Sequence, residues 1–433
     1  MIIQFLIVLL AIIIGARLKG IGLGVMGGLG LAVLTFGFGL QPTAPPIDVM
    51  LMIAAVIAAA SCMEAAGGLE LMVRQAERLL RKHPSRITLI SPLVTYLFTF
   101  IAGTGHVAYS VLPVIAEVAR ETKIRPERPL AISVIASQQA ITASPISAAT
   151  VALLSLLAGY DISLADILMI SIPATLVGVF LGALYSLKAG KELESDPEYL
   201  RRVEAGLFQE EVLKKTHQEK SPKAILSVLI FLAATILIVL FGSLKSWRES
   251  GDRILSMPDI IEILMLSAAS LILLLTKTNG IKATQGVIFP AGMQAVIAIF
   301  GIAWMGDTFI SGNMSEIKSS IEETVTAMPW LFGIALFIMS ILLYSQAATI
   351  RAMIPLGIAL SISPWLLIAM FPAVNGYFFM PNYPTVIAAI NFDRTGTTRI
   401  GKYVLNHSFM VPGLIATAGS ILTGFVLIYL FKI

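Results

Sequence analysis

The chain has 433 residues, of which 57% are hydrophobic and only 13% are charged. A water-soluble domain carries roughly 25% charged residues, so this composition indicates a protein whose main solvent is lipid. The single cysteine excludes an internal disulfide and a cysteine-rich metal or redox site.

Ten apolar stretches are predicted to cross the membrane as helices. Their lengths suit a spanning helix, which needs roughly 20 residues, better than a barrel strand, which needs only about 10. The first stretch lacks a basic start and a small-residue cleavage site, so we interpret it as a span and not as a cleavable signal. In chain order the predicted spans are residues 2–16, 20–40, 47–66, 130–160, 164–187, 224–242, 258–275, 285–305, 363–392 and 404–431.

Two further apolar stretches, 87–119 and 329–361, contain a polar interruption, and we expect both to be re-entrant hairpins. With both termini in the periplasm, the cytoplasmic segments hold 24 of the 30 basic residues, and only Arg351 falls within a hairpin. The positive-inside rule predicts this asymmetry. If either stretch crossed the membrane only once, the loops after it would change sides and the asymmetry would be lost. Orientation in a bacterial inner membrane thus explains the basic residues, and no nucleic-acid partner is expected.

The charged segment 188–223 is predicted to be a largely helical cytoplasmic loop between two halves, 1–187 and 224–433. Each half contains a repeat unit, 47–187 and 285–433, in which an amphipathic stretch and a proline precede a hairpin and a broken span. The first hairpin enters from the inside and the second from the outside. The units are therefore inverted, as in many secondary transporters.

Four polar interruptions are expected to converge near mid-membrane: the tips Gly103–His106 and Ser345–Ala348, and the breaks Thr142–Pro145 and Pro381–Thr385. Non-helical backbone is tolerated at that depth only where it is buried in protein or lines a wet cavity. Half-helix amino ends favour anions. Neutral polar side chains there could bind carboxylate oxygens without burying a permanent charge.

The candidate substrate-binding residues come from these points and from the polar run that leads into the first break. Arg351 either pairs with a substrate carboxylate or is satisfied by the protein itself. His106 either carries a proton or is an ordinary hydrogen-bonding group. The Ser and Gln side chains have a rival explanation as polar packing between helices. The candidates are Thr104, His106, Ser137, Gln138, Thr142, Ser144, Ser345, Gln346, Arg351, Asn382, Tyr383 and Thr385.

Other motifs have structural explanations. Residues 22–27 match G-x-G-x-x-G, but no βαβ unit surrounds them, so Gly20, Gly24 and Gly28 are predicted to pack helices closely. The basic stretch 74–82 is typical of an interfacial helix that touches membrane lipid. Within and beyond it, three residues are candidates for supporting transport: Glu77, Arg81 and Arg125.

No Walker motif, metal-ligand spacing or nucleophile arrangement is visible, so neither an enzyme nor a cofactor is expected. Coupling to protons or sodium is left open. The main rival to a secondary transporter is an ion channel, which would also use broken helices.

The longest motifs of the chain are Ala102–His106, Leu112–Ile115, Ile141–Ser147, Ser345–Ala348 and Asp393–Lys402. They resemble those of the anaerobic C4-dicarboxylate transporter (Dcu) family, and the resemblance runs from Gly15 to His407. The resemblance implies a carrier that exchanges fumarate, succinate, malate and aspartate, as fumarate/succinate antiport in anaerobic metabolism. It also implies an all-α, elevator-type architecture of the ion-transporter superfamily and a homodimer.

Overall fold

The computed structural model describes residues 1–18, 20–205, 221–250, 253–286, 288–316, 328–343, 345–381, 383–403 and 405–432. Within these ranges the chain is built from helices, which confirms the predicted all-α class. The exception is one antiparallel pair of two-residue strands, β1 (Glu249–Ser250) and β2 (Arg253–Ile254).

The helices are numbered in chain order. Those of the first half are α1 (Ile2–Leu18), α2 (Gly22–Ala32), α3 (Ile47–Ala65), α4 (Gly68–Lys82), α5 (Ile87–Ala102), α6 (Ala108–Glu121), α7 (Glu127–Ile141), α8 (Ala148–Leu156), α9 (Leu164–Ser186) and α10 (Pro197–Glu204). Those of the second half are α11 (Pro222–Ser243), α12 (Met257–Thr276), α13 (Gly280–Gln285), α14 (Ile288–Ala298), α15 (Trp304–Gly312), α16 (Leu331–Leu343), α17 (Gln346–Ala359), α18 (Pro364–Met370), α19 (Pro384–Phe392) and α20 (Met410–Phe431).

Six helical segments of the described chain are long and apolar enough to cross a membrane, or seven if one pair bent by 71° counts as a span. The chain is therefore a multi-pass membrane protein. One of the six, Pro84–Ala102, includes the first limb of the first predicted hairpin, so length alone also permits a complete crossing there. The others are Leu164–Ser186, Pro222–Gly242, Met257–Thr276, Ile288–Gly312 and Met410–Phe431.

Both predicted broken spans are interrupted. In the first, α7 ends at Ile141 and α8 begins at Ala148. In the second, the interruption is longer than predicted, because α18 ends at Met370 and two 3₁₀ turns precede α19. Pro372 causes part of this difference, since proline lacks the N–H that an α-helix needs.

The last predicted span starts too early, at residue 404 instead of Met410. The chain between Arg399 and Ser408 folds back on itself before the helix begins. The N–H of Arg399 donates to Ser408 Oγ over 3.0 Å, and the N–H of Ser408 donates to the Arg399 carbonyl over 3.1 Å. Asn406, His407 and Ser408 therefore belong to a loop and not to the last helix.

The two halves pack against each other in a reciprocal way. The second limb of the first hairpin, α6, contacts α19 of the second broken span. The second limb of the second hairpin, α17, contacts α8 of the first broken span. The helices that follow the broken spans, α9 and α20, pack along each other.

Two of the three glycines predicted to pack closely do not, because a Cβ on Gly20 or Gly28 would meet no atom within 4 Å. Gly24 and Gly27 make the close approach instead, with the π-helical turn Ile299–Ala303 and its neighbours. This turn joins α14 to α15 in one continuous helical segment.

The loop that divides the halves is helical where it is described, with a 3₁₀ turn at Leu193–Ser195 followed by α10. Residues 206–220 lie outside the described ranges. The amphipathic stretch predicted for the second repeat, 310–325, also lies mostly outside them.

Candidate functional site

The first break places two buried amide side chains at the end of α7. Gln138 is 2% exposed and Gln139 is completely buried. Ser147 then restarts the helix, because its Oγ accepts a hydrogen bond from the N–H of Thr150 over 3.1 Å. The same hydroxyl donates to the carbonyl of Ile141 over 2.6 Å, so one serine joins both ends of the break.

The second hairpin brings Gln346 to this break. Ser345 caps α17 by accepting from the N–H of Ala348 over 3.2 Å. This cap fixes Gln346 as the first residue of the helix, with only 5% of its surface exposed. Its Nε2 donates to the backbone carbonyl of Gln138 over 3.0 Å.

Asn375, between the two 3₁₀ turns of the second break, connects these groups. Its Oδ1 accepts from Nε2 of Gln346, and its Nδ2 donates to Oε1 of Gln139 over 3.0 Å. A longer contact of 3.3 Å reaches Oγ1 of Thr142. Because Asn375 is 1% exposed, every one of these bonds lies in a buried environment.

A further bond joins the second break to the first. Gln138 Nε2 donates to Oγ1 of Thr385 over 3.0 Å, at the start of α19. The Oε1 of Gln138 is buried and has no hydrogen-bond partner among the described residues. Buried polar atoms are rarely left in this state.

These side chains form one set, which we call the central amide network. It contains residues from both broken spans and from the tip of the second hairpin. Its members are Gln138, Gln139, Thr142, Gln346, Asn375 and Thr385, with Thr417 and Ser420 of α20 bonded to Gln139 at 3.1 and 3.4 Å.

The first hairpin tip lies against the same break. Gly103 has a φ of +68°, and a Cβ there would lie 2.8 Å from Cγ1 of Ile146. Ser137 contacts the tip through Gly105, since its Oγ donates to that carbonyl over 3.4 Å, and bonds to Thr99 over 2.8 Å.

The other predicted site residues have varied positions. Ser144 is buried, and its hydroxyl donates to the carbonyl of Phe100 over 2.7 Å, which ties the break to α5. The ring of Tyr383 lies 4.7 Å from that of Tyr377. Thr104 is half-buried at the first tip. Asn382 and the side chain of His106 lie outside what the structure describes.

Arg351 lies further along α17, and no hydrogen bond among the described residues joins it to the central amide network. Its Nε is buried without a hydrogen-bond partner among the residues that the structure describes. Asp307 of α15 interacts with Arg351 electrostatically, although the two form no ion pair within 4.0 Å. The two predicted alternatives, a substrate carboxylate or a protein carboxylate, therefore both stay open.

Gln139, Asn375, Thr417 and Ser420 were not among the predicted site residues. The signal for Asn375 was a lone amide within the apolar run 365–380, next to a proline and a glycine. Gln139 stood in the polar run before the first break. Nothing in the sequence separated Thr417 and Ser420 from other small polar residues of a spanning helix.

The predicted transport-supporting residues lie at one end of the helices. Arg81 of α4 pairs with Glu77 at 2.8 Å and with Glu121 of α6 at 2.5 Å, in exposed positions. Arg125 is buried instead and pairs with Glu127 and Asp196, each at 2.5 Å. It therefore fixes the connection between α6 and α7 to the charged loop.

Replacing Arg125 with alanine should lower the free energy of unfolding by about 3–5 kcal/mol, because a broken buried pair leaves an uncompensated charge. Burial opposes ionisation of Asp196, but hydrogen bonds from Arg125 and from backbone N–H groups outweigh it and lower the pKa of Asp196 from 3.8. A lowered pKa stabilises the fold above the ordinary value, and this contribution is lost as the pH falls through the folded value. The difference in the free energy of unfolding between the wild-type protein and the Arg125→Ala variant should therefore decrease below about pH 4.

Thermal unfolding in detergent across this pH range measures both effects. Arg201 supplies the control, since it is exposed and pairs with Glu198 at 2.8 Å, so its replacement by alanine should cost about 1 kcal/mol or less. Equal losses in the Arg125 and Arg201 variants would contradict the assignment.

The fold is that of a membrane transporter. The chain matches the crystal structure of the YdaH transporter of Alcanivorax borkumensis with a TM-score of 0.51, over 99% of this chain and 96% of that one. The two sequences are 14% identical, so this likeness concerns the fold alone.

The sequence identifies the family. The model of the anaerobic C4-dicarboxylate membrane transporter family, DcuA_DcuB, matches residues 1–432. The chain belongs to this family, which confirms the resemblance found in its motifs. Its relatives are named as transporters and not as enzymes, as expected from the sequence.

Curated relatives match along almost their whole lengths. The anaerobic C4-dicarboxylate transporter DcuB of Escherichia coli O6:H1 is 42% identical, over 98% of this chain and 97% of the relative. The C4-dicarboxylate transporter DcuA of Wolinella succinogenes is 44% identical, over 98% of each. DcuA of Escherichia coli K12 is 43% identical, over 99% of each.

Proposed function

We propose that the protein is a secondary transporter that exchanges C4-dicarboxylates, with fumarate and succinate as the principal pair and malate and aspartate as further substrates. The observation that carries this proposal is the central amide network. Gln346 of the second hairpin, Asn375 and Thr385 of the second break, and Gln138 of the first break meet within hydrogen-bond distance. Membership of the family supplies the chemical class of the substrate.

Neutral amides and hydroxyls suit a dicarboxylate that must be released again. They supply donors to carboxylate oxygens, and burial strengthens each bond without a permanent positive charge that would trap the anion. In the described state these groups bond to one another, so substrate would exchange for internal hydrogen bonds. Substrate binding then changes polar satisfaction little, which helps the substrate to be released again.

The reciprocal packing of the halves supports an inverted repeat. Each second hairpin limb contacts the second part of the opposite broken span, as a two-fold relation between 47–187 and 285–433 requires. The limbs α16 and α17 have 13 and 14 residues, or about 20 Å each, against a hydrocarbon core of about 30 Å. These lengths support a re-entrant second hairpin within a topology of ten spans.

The remaining parts of the proposal follow from the charge distribution and the family. We place the chain in a bacterial inner membrane with both termini periplasmic, as a homodimer. Alternating access would move the hairpins and broken spans as an elevator domain against a scaffold. The coupling ion is left open between protons and sodium.

Counterflow tests the function. Liposomes that contain the protein and are loaded with succinate should accumulate labelled fumarate in a saturable way, whereas liposomes without internal dicarboxylate should not. An ion channel would give no counterflow, so this result separates the two classes. Failure with every C4-dicarboxylate tested would refute the proposal.

A further inference from the structure

An open cavity of about 600 Å³ lies at the other end of α19 from the central amide network. The last turn of α19 and the loop after it form its wall, together with Arg202 of α10. Three arginines line it: Arg202, Arg394 and Arg399. Its volume is within the range of ligand sites, about 300–1,000 Å³.

The loop that carries two of these arginines is built around one carboxylate. Asp393 is 3% exposed, and its oxygens accept from the N–H and hydroxyl of Thr395, the hydroxyl of Thr397 and the N–H of Thr398. These bonds hold the loop in one shape. They also occupy both oxygens of Asp393, the one acidic side chain among the described residues of the cavity wall, and thereby reduce its repulsion of an anion.

The arginines differ in how far other residues of the chain already bind their guanidinium groups. Arg202 pairs with Glu198 at 2.7 Å and donates to the backbone carbonyl of Arg394 over 2.9 Å, so it is a structural part of the wall. Arg399 is exposed, and within the described part of the chain its guanidinium makes no hydrogen bond or ion pair. The buried hydroxyl of Thr398, on the same wall, also has no partner there.

The carbonyl end of α19 opposes an anion in this cavity, because a helix carries about half a negative charge at its carboxyl end. Against this half charge stands the whole charge of Arg399. Guanidinium groups bind carboxylates with two parallel bonds each, so a pair of them matches the two ends of a dicarboxylate. Orientation in the membrane requires basic residues in this loop, but it does not require them to line a cavity.

Helix α19 connects this cavity to the central network. Thr385, in its first turn, bonds to Gln138, while Asn391, in its last turn, lines the cavity. Six residues of helix separate them, or about 9 Å along the axis. A dianion in the cavity would thus lie about one helix length of α19 from the central amide network.

We propose that this cavity is a second, weaker binding site for the transported dicarboxylate, which holds it before entry to or after release from the central network. The proposal rests on the proposed function for the identity of the anion. Arg399 supplies the principal contact, and Arg394 the second. The site would raise the local concentration of substrate at one face of the membrane.

Protection of a cysteine tests the site in detergent, without transport. The reporter is Asn391→Cys in a Cys62→Ala background, since Asn391 is exposed and Cys62 is buried. A site with a Kd of about 1 mM is about nine-tenths filled at about 10 mM succinate, so maleimide labelling should slow about 10-fold. Inorganic phosphate at the same concentration is the second probe.

Three variants assign the protection. Arg399→Gln should abolish it, whereas Lys402→Gln, an exposed cation of the same loop that does not line the cavity, should preserve it. Gln346→Ala, which weakens the central network, should also preserve it. Gel filtration and thermal unfolding confirm that each variant is folded.

Each outcome decides the assignment. Labelling unaffected by succinate, protection that survives in Arg399→Gln, or protection lost in Gln346→Ala would overturn it. Protection by phosphate as strong as that by succinate would overturn the assignment to a dicarboxylate. Counterflow on the same preparations keeps the two proposals apart, because Arg399-dependent protection without counterflow refutes the proposed function, and counterflow without protection refutes only this site.

Discussion

Replacing Asn375 with leucine should reduce succinate–fumarate counterflow by about 100-fold or more. The change removes the acceptor of Gln346 Nε2 and the donor to Gln139 Oε1 and Thr142 Oγ1. A buried polar group that loses a partner costs about 1–3 kcal/mol, so two such groups cost about 2–6 kcal/mol, a range that includes the roughly 2.7 kcal/mol that corresponds to 100-fold. Leucine also has no donor or acceptor with which to hydrogen-bond the substrate.

A second buried asparagine provides the matched control. Asn313 is 4% exposed, and its side chain bonds to the carbonyl of Phe309 in its own helix, away from the central network. Asn313→Leu should lower thermal stability in detergent by a similar amount but retain counterflow per folded molecule. Wild-type counterflow in Asn375→Leu, or an equal loss in Asn313→Leu, would remove Asn375 from the site.

Asn375 also illustrates what the sequence could not predict about the site. The breaks were predictable, because proline and polar residues interrupt apolar runs at Thr142–Pro145 and Pro381–Thr385. The start of the second break was not predicted, because residues 371–380 are mostly apolar and continue the apolar run that precedes them. Only the packing of this segment against α16 and α20 shows that its backbone leaves the α-helix at Phe371 and points the one amide inward.

The tip of the second hairpin has a local geometric role, and its predicted role in substrate binding stays a prediction. Ser345 and Gln346 follow an apolar run, as a helix cap and first turn should, and the structure places both as a cap and a network member. Ser144 was predicted for the same chemical reason, yet its hydroxyl bonds to a carbonyl of α5. A buried polar residue type indicates that a hydrogen bond is needed. Only the tertiary structure shows whether its partner belongs to the protein or is available to a substrate.

The glycines of α2 show a second limit of the sequence. A spacing of four residues predicted Gly20, Gly24 and Gly28 at one interface, whereas Gly24 and Gly27 make the contact. Residues three and four apart share a helix face, so the pattern alone cannot choose between Gly27 and Gly28. The choice depends on the direction from which the π-helical turn approaches.

Replacing Gly24 with alanine should prevent the protein from folding stably, because the new Cβ would lie 2.1 Å from the carbonyl oxygen of Ile297. Gly301 faces it with no more room, since a Cβ there would lie 1.7 Å from the carbonyl oxygen of Gly24. The obstacle on both sides is backbone, which cannot rotate away as a side chain can. The cost should therefore exceed the about 1–3 kcal/mol of ordinary overpacking.

Gly28→Ala is the matched control, one turn further along the same helix, where a Cβ meets no atom within 4 Å. It should keep or raise the melting temperature, since alanine favours a helix over glycine by about 1 kcal/mol. Fluorescence-detected gel filtration and thermal unfolding in detergent measure both variants. Because α2 contributes nothing to the central amide network, counterflow per folded molecule should be normal in Gly28→Ala, and similar melting temperatures for the two variants would disprove the close contact between α2 and the Ile299–Ala303 turn.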